Sequence, residues 1–230
     1  MDFTESPVTF ILIAVNVLLS IIGFSNTSFL NKMIGWPYYE KRKHQYYRII
    51  TSGFVHNDWM HLIFNMFTFY FLGTNLEFFL NRYDLGGNAA YLALYFAGLI
   101  VSSLPSFFKH NNDPNYRSLG ASGAISAVVF SVIIFSPWSP VYLYGAIGVA
   151  FIVFAVVYII FCVISGRQQS DNINHDAHLW GSVFGLVFMI GLLAILRPDV
   201  FPHVVEEFKK PSLFGRKELS EVIKYLESTR

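Results

Sequence analysis

Apolar residues in this chain come in long runs, and six of those runs approach the length a helix needs to cross a bilayer. Spanning the hydrocarbon core takes about 20 mostly apolar residues, with a range of roughly 17–25. The runs are Pro7–Phe24, Trp59–Leu80, Ala89–Phe108, Leu119–Phe135, Val141–Ile164 and Ala177–Leu196. The fourth is short and rich in small residues. The link between the first two, Ser25–Asp58, is long. It mixes Phe29, Trp36, Tyr38 and Tyr39 with Lys32, Lys41, Arg42, Lys43 and Arg48, a combination suited to the membrane–water interface. Ser136–Pro140, with Pro137 and Pro140, predicts a tight turn. After Arg197 the chain turns polar, and Leu219, Val222, Ile223 and Leu226 recur at helical spacing, predicting a short amphipathic helix. The pattern predicts an all-α membrane protein: a membrane-embedded unit over residues 1–199 and a polar tail over 200–230.

Composition agrees. Charged residues make up 13% of the chain and hydrophobic ones 54%, against a charged share of roughly 25% in soluble domains. A net charge of +1 with no basic stripe argues against a nucleic-acid partner. Asp2 and Glu5 make the N-terminus acidic, so the first run reads as a retained span rather than a signal peptide. Six passes put both ends on one side, but eight Lys and Arg fall on each side, so the charge bias does not orient the protein. The single cysteine, Cys162, lies in an apolar run and forms no intrachain disulfide.

Against this background a few polar residues stand out, because a polar side chain in a span is costly and marks function by default. His61 and Asn65 lie near the start of the second run, Ser122 near the start of the fourth and His178 near the start of the sixth. These three runs cross in the same direction, so at about 1.5 Å per residue the residues lie at similar depth below one surface. Gly120 and Gly123 flank Ser122. Gly181 and Gly185 follow His178 at three and seven residues, on its face of the helix, a small-residue spacing that lets helix backbones approach closely.

Ser122 needs a base to become a nucleophile, and the neutral imidazole of His178 is the candidate. Asp176 faces elsewhere on its helix, so the expectation is a Ser–His dyad rather than a triad. His61 and Asn65, four residues apart on one face, are candidate oxyanion donors together with the Ser122 backbone N–H. Serine in a span more often bonds its own backbone, and a polar pair such as His61 and Asn65 also serves to glue helices. His56 reads as a structural loop histidine, and His110 and His175 as loop residues. Glu77 suits either a backbone-bonding role or a simple interfacial position. Gathering His56, His61, His175 and His178 around zinc, or holding haem between His61 and His178, leaves Gly120-Ala121-Ser122-Gly123 without a role. No metal and no cofactor are therefore expected.

These motifs, His61-x-x-x-Asn65, Gly120-x-Ser122-Gly123 and His178-x-x-Gly181-x-x-x-Gly185, occur in the order and on the runs seen in the rhomboid family of intramembrane serine proteases, which the chain resembles over roughly residues 7–197. The resemblance implies a six-transmembrane-helix rhomboid-like bundle with a long interfacial first loop. It implies that Ser122 is the nucleophile, His178 the general base, and His61 and Asn65 oxyanion stabilisers. Tyr47-Arg48 stands where many members have Trp-Arg. Ser126 stands where some have an aromatic against the histidine ring, so another group must orient His178. The expected activity is endoproteolysis of transmembrane protein substrates near the membrane surface, with the lipid bilayer as the other partner. The expected location is the cell membrane of a bacterium, with cytoplasmic termini. The alternative is a non-catalytic relative that binds membrane segments.

Overall fold

A computed structural model describes residues 4–143, 147–168, 173–215 and 220–229. The first helix, α1 (Pro7–Ser25), starts with proline at a position whose N–H needs no partner. Its first turn is capped from another helix. Glu77 accepts hydrogen bonds from Val8 N (2.8 Å), Thr9 N (2.7 Å) and Thr9 Oγ1 (2.7 Å), so a fully buried carboxylate faces the positive end of α1. Of the two roles open to Glu77, the structure shows the backbone-bonding one.

The long first link folds into three short helices, α2 (Thr27–Met33), α3 (Pro37–Arg42) and α4 (Arg48–Thr51). Arg48 organises them: its buried guanidinium donates to the carbonyls of Asn31 and Ile34 at 2.8 and 2.9 Å and to Gln45 Oε1 at 2.7 Å. The second apolar run becomes α5 (Trp59–Thr68), a π-helical turn over Phe69–Gly73, and α6 (Thr74–Arg82). Asp58 caps α5 by accepting from His61 N at 2.8 Å. Then follow α7 (Gly87–His110), α8 (Ser122–Val132), α9 (Phe151–Gln168) and α10 (His175–Leu196).

The structure corrects two boundaries. The fourth run is helical only over the 11 residues of α8, too short to cross the hydrocarbon core by itself. It does not face lipid: every residue from Gly123 to Val132 is buried, with α7 on one side and α10 on another. The described residues of the fifth run before Phe151 are strand, not helix. Pro140–Leu143 and Ile147–Ala150 pair as antiparallel strands β1 and β2, with Pro140 opposite Ala150. A short apolar stretch reads as strand or helix alike, and Val141, Tyr142, Ile147 and Val149 are strand formers. Neither His110 nor His175 is a loop residue: His110 ends α7, and His175 is the first, buried residue of α10.

Among the described residues, α1, α7 and α10 are long and apolar enough to cross a membrane. Their outward faces stay apolar, with Leu18, Ile100, Val187 and Ile195 exposed. On a soluble protein such faces would be liabilities; against lipid they are ordinary.

Backbones meet where α8 crosses α10. A Cβ on Gly181 would fall on the carbonyl of Gly123, and one on Gly185 would fall on the carbonyl of Ala127. Ser131 Oγ joins the pair, donating to its own helix at Ala127 O (2.9 Å) and across to Gly185 O (3.0 Å).

The tail is docked. Its helices are α11 (Phe201–Phe208) and α12 (Glu221–Ser228). Val222, Ile223 and Leu226 join the main core, while Leu219 lies outside the described residues. Ser220 caps α12 at Ile223 N (3.2 Å) and also donates to the Phe135 carbonyl beyond α8. Trp138 Nε1 donates to the Glu207 carbonyl at 2.8 Å.

The α8–α10 contact predicts that Gly185→Ala lowers stability by about 1–3 kcal/mol, since a methyl there meets backbone that cannot rotate away. The thermal unfolding midpoint in detergent checks this, and Gly191→Ala is the control because nothing lies within 4 Å of its Cβ position.

Candidate active site

Ser122 is the first residue of α8 and His178 lies one turn into α10. The glycine contact draws these helix starts together, and His178 Nε2 lies 2.8 Å from Ser122 Oγ. Both side chains are half-buried. With Nε2 unprotonated, the hydroxyl donates to it, which is the arrangement a base needs to take the serine proton. Asn174 caps α10, accepting from Ala177 N at 3.0 Å, and is itself held by Ser106 of α7. Asp176 pairs with Lys109 at 3.1 Å rather than with His178.

The stretch before Ser122 is unusual backbone. Gly120 has φ +113°, a region side chains rarely adopt. Its open face is occupied: a Cβ there would lie 2.7 and 2.8 Å from His61 Cε1 and Nε2, and 3.8 Å from Asn65 Nδ2. His61 and Asn65 thus converge on the residue two before Ser122. Asn65 Nδ2 is buried with no hydrogen-bond partner among the described residues. A buried amide donor left unsatisfied is costly and calls for a reason. The first turn of α8 supplies further N–H groups with no intrahelical acceptor. Asp58, outside the membrane spans, holds the start of α5; the His61 N–H it accepts keeps its carboxyl below the usual value.

The first link braces this backbone. Gly35 and Ser118 exchange N–H···O bonds of 2.9 and 3.1 Å, and Gly120 N donates to Ser52 O at 2.9 Å. His56 packs behind His61, with ring centroids 5.0 Å apart and edge to face, and its Nδ1 lies 2.9 Å from Ser20 Oγ of α1. A cavity of about 20 Å³ opens beside Ser122, bordered by Ser52, Ser102, Ser118 and Gly120. That is room for one water.

Sequence reading left one group unnamed. Tyr158 of α9 presents its ring nearly parallel (19°) to the His178 imidazole, with centroids 6.1 Å apart, and its hydroxyl lies 3.3 Å from Ser126 Oγ. Ser126 therefore holds an aromatic from a neighbouring helix on the His178 side. The available signal was a tyrosine inside an apolar run, whose hydroxyl needs a partner when buried.

Comparison with known proteins follows the same lines. The Rhomboid domain matches residues 43–195, a stretch that contains His61, Asn65, Ser122 and His178. The chain is 30% identical over 149 residues to RHOMBOID-like protein 12, mitochondrial, of Arabidopsis thaliana, covering 60% of this chain and 44% of that protein. It is 27% identical over 154 residues to RHOMBOID-like protein 4 of the same plant, covering 66% of this chain and 35% of that one. The chain thus spans less than half the length of these curated relatives. Its apolar helices and this match identify an integral membrane protein.

Gly120→Ala tests how far the site depends on that backbone. The left-handed conformation alone costs a side-chain residue about 1–2 kcal/mol, and the methyl also displaces the His61 ring. The expected result is a lower unfolding midpoint with helical content unchanged by far-ultraviolet circular dichroism.

Proposed function

This chain belongs to the rhomboid family, and from that membership we propose that it is an intramembrane serine endopeptidase acting on transmembrane protein substrates near the membrane surface. The observation that carries the reading is the 2.8 Å separation of His178 Nε2 and Ser122 Oγ, held by helices whose backbones touch. In this reading α1, the α5–α6 rod, α7, α9 and α10 cross the bilayer around α8, whose short helix and flanking turns together make the sixth pass. Both ends of the chain lie on the cytoplasmic side, and the Ser122 end of the bundle lies towards the other.

The mechanism is acyl transfer. Ser122 Oγ attacks the scissile carbonyl carbon as His178 Nε2 takes its proton. The carbonyl oxygen, now an oxyanion, is stabilised by Asn65 Nδ2, by His61 and by the N–H groups opening α8. The unsatisfied Asn65 donor supports this role, since an anion arriving there supplies its missing acceptor. His178 then gives its proton to the leaving amine, which departs with one half of the substrate. A water beside Ser122 transfers a proton to His178 and attacks the acyl ester; as the second product leaves, His178 returns that proton to Ser122 Oγ. The substrate must be locally unwound, because a helical peptide bond is shielded by its own side chains and hydrogen bonds.

A fluorophosphonate probe labels wild type and spares Ser122→Ala and His178→Ala if this reading holds. Equal labelling of wild type and Ser122→Ala contradicts the nucleophile, and a wild type that captures membrane segments without reacting favours a non-catalytic binder. Asn65→Ala lowers the labelling rate by about 10²–10³, the usual cost of one oxyanion donor, with the unfolding midpoint as the control for folding.

A further inference from the structure

His178 also belongs to a second cluster, whose other two members the acyl-transfer mechanism does not use. Cys162 of α9 and His175 and His178 of α10 place one sulfur and two imidazole nitrogens within 4.8 Å of one another. His175 and His178 are three residues apart and share a helix face. Cys162 and His175 are almost fully buried, and His178 is half-buried. Cys162 follows Tyr158 by four residues and so lies on the face of α9 from which Tyr158 meets the His178 ring.

We propose that Cys162, His175 and His178 form a site for zinc or a similar thiophilic divalent cation, and that an ion bound there switches off the Ser122–His178 pair. One thiolate and two imidazoles form a donor set suited to zinc, and a tetrahedral ion would keep its fourth position for water. At zinc bond lengths the donors of a tetrahedral ion lie about 3.3–3.7 Å apart, so the widest separation must close by about 1 Å. Rotation of three side chains on two neighbouring helices supplies a movement of that size.

The inhibitory consequence rests on the proteolytic reading; the binding itself does not. A neutral imidazole has a single nitrogen lone pair free to accept. If the ion takes Nδ1 of His178, Nε2 carries the proton and cannot receive one from Ser122. If the ion takes Nε2, the contact with Ser122 is replaced. Either way the base is withdrawn while the serine stays in place. The Cys162 thiol releases its proton on binding, so metal and proton exchange in one step.

Cobalt(II) added to the purified full chain in detergent reads binding directly, through the thiolate-to-cobalt charge-transfer band. The band should appear at one equivalent in wild type and in Ser122→Ala alike, vanish in Cys162→Ala and weaken in His175→Gln. Zinc should slow fluorophosphonate labelling of wild type. Cys162→Ala should label normally in chelator yet need at least about tenfold more zinc for half-inhibition, the smallest loss expected when a metal site is damaged. Absence of the band in wild type overturns the site, and so does equal zinc sensitivity of wild type and Cys162→Ala. A wild type that shows the band but never reacts with the fluorophosphonate refutes the proteolytic reading and leaves the metal site standing.

Discussion

The arrangement depends on one constraint: α8 and α10 approach until backbone touches backbone. Gly181 faces the Gly123 carbonyl and Gly185 faces that of Ala127, with no room for a Cβ at either glycine. In lipid there is little hydrophobic drive to bring helices together, so close packing and interhelical hydrogen bonds must supply the attraction. Ser131, bonded across to the Gly185 carbonyl, adds one such bond. Because Ser122 and His178 stand on the same two helices, the separation of their side chains follows from a backbone contact and not from loop positions. That explains how an 11-residue buried helix can hold Ser122 steady against His178.

A second set of restraints acts from the loop side. The first link is pinned by Arg48 to its own carbonyls and by Gly35 and Ser52 to the strand-like approach to α8. The carboxylate cap supplied by Glu77 ties α1 to α6, and Ser20 of α1 reaches His56, which backs His61. The His61 and Asn65 side chains and Ser122 therefore stand on different elements and converge at Gly120. A glycine with φ +113° allows the His61 ring to lie against the backbone there. The unsatisfied Asn65 amide is the cost of this design in the resting state, and in the proposed mechanism the developing oxyanion relieves it.

Much of this was legible because polar residues are conspicuous inside apolar runs. Ser122, His178, His61 and Asn65 stand out on that ground, and the glycine spacing after His178 marks the contact face. What stayed hidden shares one cause: residues that blend with an apolar background. Tyr158 and Cys162 look like ordinary members of a hydrophobic run, and only the fold shows them beside His178. The strands β1 and β2 read as helix in the sequence because their residues are as apolar as a span. The tail pattern marked an apolar face on α12 but not what covers it, which is the core beyond α8. Helix α8 was overextended because burial, rather than lipid, accounts for its apolar character.

The central claim is that Ser122 attacks within a site whose oxyanion donors come from α5 and the start of α8. A crystal structure of the chain after reaction with a fluorophosphonate tests this most directly. The account predicts phosphorus bonded to Ser122 Oγ, with its phosphoryl oxygen within hydrogen-bonding distance of Asn65 Nδ2 and the Ser122 N–H. An adduct on another residue, or a phosphoryl oxygen turned away from Asn65 and from the start of α8, would contradict it.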